Sequence, residues 1–255
     1  MDRPDGPSKV FDRKLPLEIR WTSEPGPCGL PINEIRLPPG RRRTSVLSPL
    51  DPVLHQYPGR PGEPLHLSQN LRALIADIAT RCPVFDHLDP RRILVGCNQT
   101  RNGSRPGVMA RIAGLRQRGG RLVSTHHGRP YIVQRYWLDD TEILYVLIFY
   151  LPRFQDQTFD EKMVTLFHEL YHISPDFDGD LRRCPETDRF HVGGKQKYDG
   201  LMAKLAREYL QTKPDPALYA FLRLNFAQLQ QWHGQVIGYA IPLPKLIPLE
   251  NGKQT

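Results

Sequence analysis

No stretch of this 255-residue chain is long and apolar enough to cross a bilayer. Its most apolar run, Ile143 to Phe149, falls far short of the roughly 20 residues that a spanning helix needs. No apolar leader core opens the sequence either. Cysteine is scarce, and Cys28, Cys82, Cys97 and Cys184 include no C-x-x-C pair, which argues against a disulfide framework. There is no internal repeat. These absences lead us to expect a cytoplasmic protein with reduced thiols and no membrane partner.

Proline and glycine, by contrast, crowd the front of the chain. Residues 1–67 hold Pro38-Pro39-Gly40-Arg41-Arg42-Arg43 and Tyr57-Pro58-Gly59-Arg60-Pro61-Gly62, where no regular element fits. This extension is expected to be largely irregular or disordered, with Leu15 to Trp21 as a short exception. One domain of residues 68–245 should follow, and then a tail of 246–255.

The domain opens on an expected helix capped by Ser68, with Leu71, Leu74, Ile75 and Ile78 on its apolar face. Ile93 to Cys97, Tyr131 to Trp137 and Glu142 to Tyr150 are β-branched and aromatic, as strands are, and Asp139-Asp140 suits a hairpin turn. Val108 to Leu115 is a candidate edge strand, or equally a helix. Tyr198, Leu201, Met202, Leu205 and Tyr209 mark a later helix. Asp215-Pro216 should start a last one running toward His233-Gly234.

Between the strands and these last helices lies His168-Glu169-Leu170-Tyr171-His172, an H-E-x-x-H. Thr158 and Glu161 form a capping-box pattern ahead of it, and Phe159, Met163, Val164, Phe167 and Leu170 recur at helical spacing. Pro175 forces the residue before it out of the α region, so the helix should end near Ile173. Histidines four apart share one helical face and can reach one metal ion. Glu169 then stands beside the open coordination position as a general base. A chance match in a chain with 9 histidines is on the order of one per cent.

A zinc site needs a third protein ligand. Asp178 follows His172 by six residues, an offset similar to the extended zinc motif of metzincins, although Pro175 replaces the glycine of that turn. His191 is the alternative, and a neutral imidazole better suits a site already holding two. Cys184 is disfavoured by the adjacent Pro185. Asp178 and Asp180 can instead orient ligands, pair with Arg182 and Arg183, or simply form a turn. For the oxyanion of a tetrahedral intermediate, Tyr198 and Arg182 are near in sequence, and spacing picks neither.

The run from His168 to Arg183 resembles the phage metallopeptidase family, whose pattern is H-E-L-x-H-I-x-P-x-F-x-G-D-x-R. That family then has a histidine ahead of a Q-K-x-Y-D segment. Here the counterpart reads His191-Val192-Gly193-Gly194-Lys195-Gln196-Lys197-Tyr198-Asp199, with Lys195 replacing a small hydroxyl residue and the last segment shortened. The resemblance covers roughly residues 90 to 230. It implies a zinc metallopeptidase of α+β, zincin-like fold: a small mixed or antiparallel sheet packed on the H-E-x-x-H helix, with a helical C-terminal part. It further implies His168 and His172 as Zn2+ ligands and Glu169 as base; it lends no specific substrate, and a peptidase is expected to act on a protein or peptide.

The formal net charge of +8 opens a second reading. Arg101, Arg105, Arg111, Arg116, Arg118 and Arg121 could form a basic surface for nucleic acid, as in a DNA-associated, SprT-like zinc protease. Their spread along the chain and the lack of a DNA-binding motif weigh against it. A third reading is a non-enzymatic zinc-binding interaction protein, which would have no need of Glu169 beside its ligands.

Overall fold

The computed structural model describes residues 17–22, 57–100, 107–183 and 195–249. Among them the fold is α+β, with small sheets and 4 α-helices. The sheet nearest the H-E-x-x-H motif has the order β3 (Ile93–Gln99), β9 (Tyr145–Leu151), β4 (Ala110–Gly114). β3 runs parallel to β9 and β4 antiparallel to it, so the sheet is mixed and β4 is an edge. β9 is the middle strand and is buried on both faces from Tyr145 to Phe149, which is why its sequence is continuously apolar instead of alternating.

The strand-like run 142–150 proves to be two strands, because the chain changes partner at Leu144. β7 (Tyr136–Leu138) and β8 (Thr141–Ile143) close a hairpin whose turn includes Asp139 at φ 52°. The Leu144 amide then bonds the Arg92 carbonyl, and β9 sets off beside β3. The expected strand 131–137 is likewise divided. β6 (Arg129–Val133) ends where buried Gln134 donates its amide to the Lys245 carbonyl. β6 pairs with β5 (Val123–His126) and with β11 (Leu246–Pro248), so part of the expected tail is a strand.

Helix α1 (Leu67–Arg81) carries the anticipated Leu71, Leu74, Ile75 and Ile78 into the core. Ser68 does not cap it. The helix starts two residues earlier, with His66 at its N-cap, and the buried Ser68 hydroxyl instead accepts the Tyr239 amide. That bond ties α1 to β10 (Gln235–Ala240), which is flanked by β1 (Leu17–Thr22) and β2 (Leu65–His66). In β1, Trp21 is buried and donates its indole N–H to Gln99.

Helix α2 (Phe159–Tyr171) begins with the expected capping box: Thr158 accepts the Glu161 amide, and Glu161 accepts the Thr158 amide. Met163, Leu166, Phe167 and Leu170 are its buried stripe, facing the core shared with Phe149, Met202 and Tyr209. α3 (Lys195–Gln211) packs alongside. The long helix expected from Asp215 to His233 is instead broken. Asp215 caps only the 3-10 turn Pro216–Leu218, a second such turn covers Ala220–Arg223, and α4 (Phe226–His233) restarts with its own capping box from Asn225. The break has a use. Lys162 of α2 and Gln155 reach in and bond the freed carbonyls of Phe221, Leu222 and Leu224.

Candidate metal centre

The H-E-x-x-H residues occupy the last turns of α2 and its C-cap, His172. His168 and His172 turn their Nε2 atoms toward each other at 3.1 Å. Two nitrogens bound to one tetrahedral zinc at ~2.0–2.1 Å would lie about 3.3 Å apart, so the pair fits a shared metal ion. His172 is buried and His168 partly so, with its Nδ1 3.9 Å from the Asp199 carboxylate on α3. An outer carboxylate facing the second ring nitrogen favours the tautomer that leaves Nε2 free to bind.

Glu169 points from the same turn to the sheet. Its carboxylate accepts the backbone N–H of Ile112 on edge strand β4 at 2.8 Å. Burial pushes its pKa up to about 7, against the pull of the Ile112 amide and of Arg111. A carboxylate in that range exchanges protons readily near neutrality.

Tyr198 and Asp199 come from the first turns of α3. The Tyr198 ring stacks on His172 at 5.9 Å between centroids and meets His168 edge-on at 4.8 Å. Burial raises its phenol pKa, so it is a neutral O–H donor. Arg182 is also nearby, its guanidinium over the Tyr171 ring at 4.2 Å and Tyr171 edge-on to Tyr198. Both residues singled out as oxyanion stabilisers thus flank the histidine pair, Tyr198 directly and Arg182 through an aromatic ring.

The loop after α2 is fixed to the sheet. The Tyr145 hydroxyl accepts the Gly179 amide and donates to the Asp180 carbonyl, while the Arg116 amide donates to the Gly179 carbonyl. The approach is tight enough that a Cβ at Gly114 would collide with the Gly179 carbonyl oxygen, and Gly179 itself adopts φ +89°. Asp178 accepts the Asp180 amide, and Asp180 accepts from Gly119, Leu181 and Arg183. The turn reading of Asp178-Gly179-Asp180 therefore describes their local bonding well. Among the described residues no group of three or more His, Cys, Asp or Glu stands together as a metal site, and the Asp178 carboxylate is engaged by the Asp180 amide. His191 and Cys184 lie outside the described residues.

Sequence reasoning passed over Ile112 and gave Asp199 no role. Ile112 acts through its main chain, which no side-chain motif can signal. Asp199 was within reach of inference, since it adjoins Tyr198 at the start of a helix. Two clefts of about 630 and 440 Å³ open beside α1, and neither is lined by His168, Glu169 or His172. Comparison of the chain with protein-family models, curated proteins and solved structures finds no match, so the functional reading rests on the residues themselves.

Proposed function

We propose that this protein is a zinc-dependent peptidase of zincin-like arrangement, related to the phage metallopeptidases. The observation that carries the reading is the pair of converging Nε2 atoms with a proton-exchanging carboxylate on the intervening turn. His168, His172 and a third ligand, His191 or Asp178, would hold the ion. Zinc at that position supplies a Lewis acid and lowers the pKa of water toward ~7.

The chain's own groups account for the other steps. The edge strand β4 offers its outer main chain to an extended peptide, which would dock as an added strand. Its Ile112 amide is held by Glu169, so a docking peptide would take over that N–H and release the carboxylate. Glu169 then accepts the proton of the attacking water and passes it to the leaving amine. Tyr198, in contact with both histidines, would donate to the developing oxyanion, and Arg182, over the neighbouring Tyr171, would add positive charge nearby.

The test begins with elemental analysis of protein purified without chelators. Stoichiometric zinc is expected, lost in His168→Ala and in only one of His191→Ala and Asp178→Ala. Glu169→Gln should keep the zinc and lose hydrolysis of an unfolded protein substrate. Zinc-free wild-type protein would overturn the proposal, and full activity in Glu169→Gln would overturn the role of the base.

A further inference from the structure

The positive charge of this chain is concentrated. From Pro90 to Leu138, 49 residues, there is no Asp or Glu, yet there are 10 arginines. The rest of the chain carries 25 basic against 27 acidic residues, so this one run accounts for the whole positive excess.

The described part of the run makes up β3 to β7. Part of its charge is neutralised: Arg92, Arg116 and Arg135 share the single carboxylate of Glu142 at 3.9, 2.7 and 2.5 Å, and Arg91 pairs with Asp89. Three guanidinium groups around one carboxylate still leave an excess of positive charge. Arg111, Arg118, Arg121 and Arg129 are exposed. Arg118 and Arg121 precede β5, and Arg129 stands across from His126 at the mouth of the β5–β6 hairpin. Along that hairpin every residue from Arg121 to Val123 and from Thr125 to Arg129 is exposed. A ribbon so little covered has little core to serve; Leu122 and Val123 are exposed on it, and the arginines at its base and tip are suited to a polyanion.

We infer that the β5–β6 hairpin, with Arg118, Arg121 and Arg129, binds duplex DNA through its phosphates without sequence preference. The inference does not rest on the peptidase reading. β11 pairs with β6 only from Tyr131 to Val133, so at its tip, around His126 and Arg129, the hairpin is a two-stranded ribbon; such a ribbon fits the major groove of B-form DNA, which is about 12 Å wide, but not the narrow major groove of duplex RNA. Single strands are bound mainly by open aromatic platforms. The exposed Trp137 is covered by the Arg135 guanidinium at 5.2 Å, and His126 and His127 pack on each other at 4.2 Å. Phosphate contact is what remains, and the forked guanidinium is well shaped for it.

The experiment is fluorescence anisotropy of the full chain with a labelled duplex DNA of mixed sequence, across a salt series. Binding that weakens steeply with salt is expected, since each neutralised phosphate adds about 0.9 to the log–log slope. Arg118→Ala, Arg121→Ala and Arg129→Ala combined should weaken binding about 10- to 100-fold and flatten the slope by about 2 to 3. Arg129→Ala alone, at the exposed tip of the hairpin, is the variant least able to disturb folding and should flatten it by about 1. Three outcomes would each overturn the inference: no duplex binding at low salt, binding unchanged in the triple variant, or equal competition by polyglutamate, single-stranded DNA or duplex RNA.

Discussion

Glu169 accepts the backbone N–H of Ile112 at 2.8 Å, joining helix α2 to the edge strand β4. The bond ties the candidate base to the strand that would receive a substrate. Burial outweighs it and raises the Glu169 pKa from 4.5 to about 7. A raised carboxyl pKa means that the folded state keeps a proton the unfolded state has lost. The stability this confers is complete below pH ~4.5 and is lost as pH rises through ~7. In metal-free protein, Glu169→Gln should therefore raise stability at pH 8, by on the order of 1–3 kcal/mol, and give no gain at pH 4. Urea melts of both proteins at the two pH values measure this, and a pH-independent difference would refute it.

Asp199 faces the Nδ1 of His168 from 3.9 Å, on a different helix. Outer carboxylates of this kind orient a ligand imidazole, and losing one costs about 10- to 100-fold in metal affinity. Asp199→Asn should show that loss in a zinc competition titration while the melting of the metal-free protein barely moves. Unchanged zinc affinity would reduce Asp199 to a surface ion pair.

How far the site could be read from sequence depended on how local its determinants were. The helix of the H-E-x-x-H was legible because its cap, its apolar stripe and its proline stop all lie within about 20 residues. The partner switch at Leu144 was not, because it is set by the carbonyl of Arg92, far away in the chain. The broken helix after Asp215 misled for a related reason: its carbonyls are claimed by Lys162 and Gln155 from another element. Val108 to Leu115, ambiguous between strand and helix, became an edge strand through pairing with β9. Tyr198 and Arg182 were named by proximity alone, and only the fold distinguishes Tyr198, whose ring lies on the histidines, from Arg182, whose guanidinium lies over Tyr171.

Lys162 lies fully inside the molecule and donates to the carbonyls of Leu222 and Leu224 at 2.8 and 2.7 Å. Burial lowers its pKa from 10.5 to about 7, with Asp156 opposing. The folded state thus releases a proton that the unfolded chain retains between those values, so the contribution of this lysine to stability grows as pH rises from ~7 to ~10. In Lys162→Met the Leu224 carbonyl keeps Gln155, but Leu222 loses its side-chain donor. The variant should be about 1–2 kcal/mol less stable than wild type at pH 9 and closer to it at pH 6. Denaturant melts at both pH values test the trend, and a gap that widens toward acid would contradict it.

The last prediction concerns the loop that leaves the candidate metal centre. Tyr145 is buried in β9, and its hydroxyl serves two main-chain groups of that loop, accepting from Gly179 and donating to Asp180, each at 2.9 Å. Tyr145→Phe preserves the ring and its packing on Phe177 at 5.1 Å but strands the Gly179 amide, while the Asp180 carbonyl keeps the Ser174 amide at 3.3 Å. A loss of about 1–3 kcal/mol is expected. The loop also leads from His172 to both candidate third ligands, so loosening it should raise the entropy cost of closing the site. Zinc affinity should then fall several-fold even though no ligand is removed, as thermal melts and metal competition on one preparation would show. A lower melting temperature with zinc affinity intact would mean that the third ligand is positioned independently of the Gly179 anchor. That result would favour His191, which lies further along the chain, over Asp178, which sits beside the anchor.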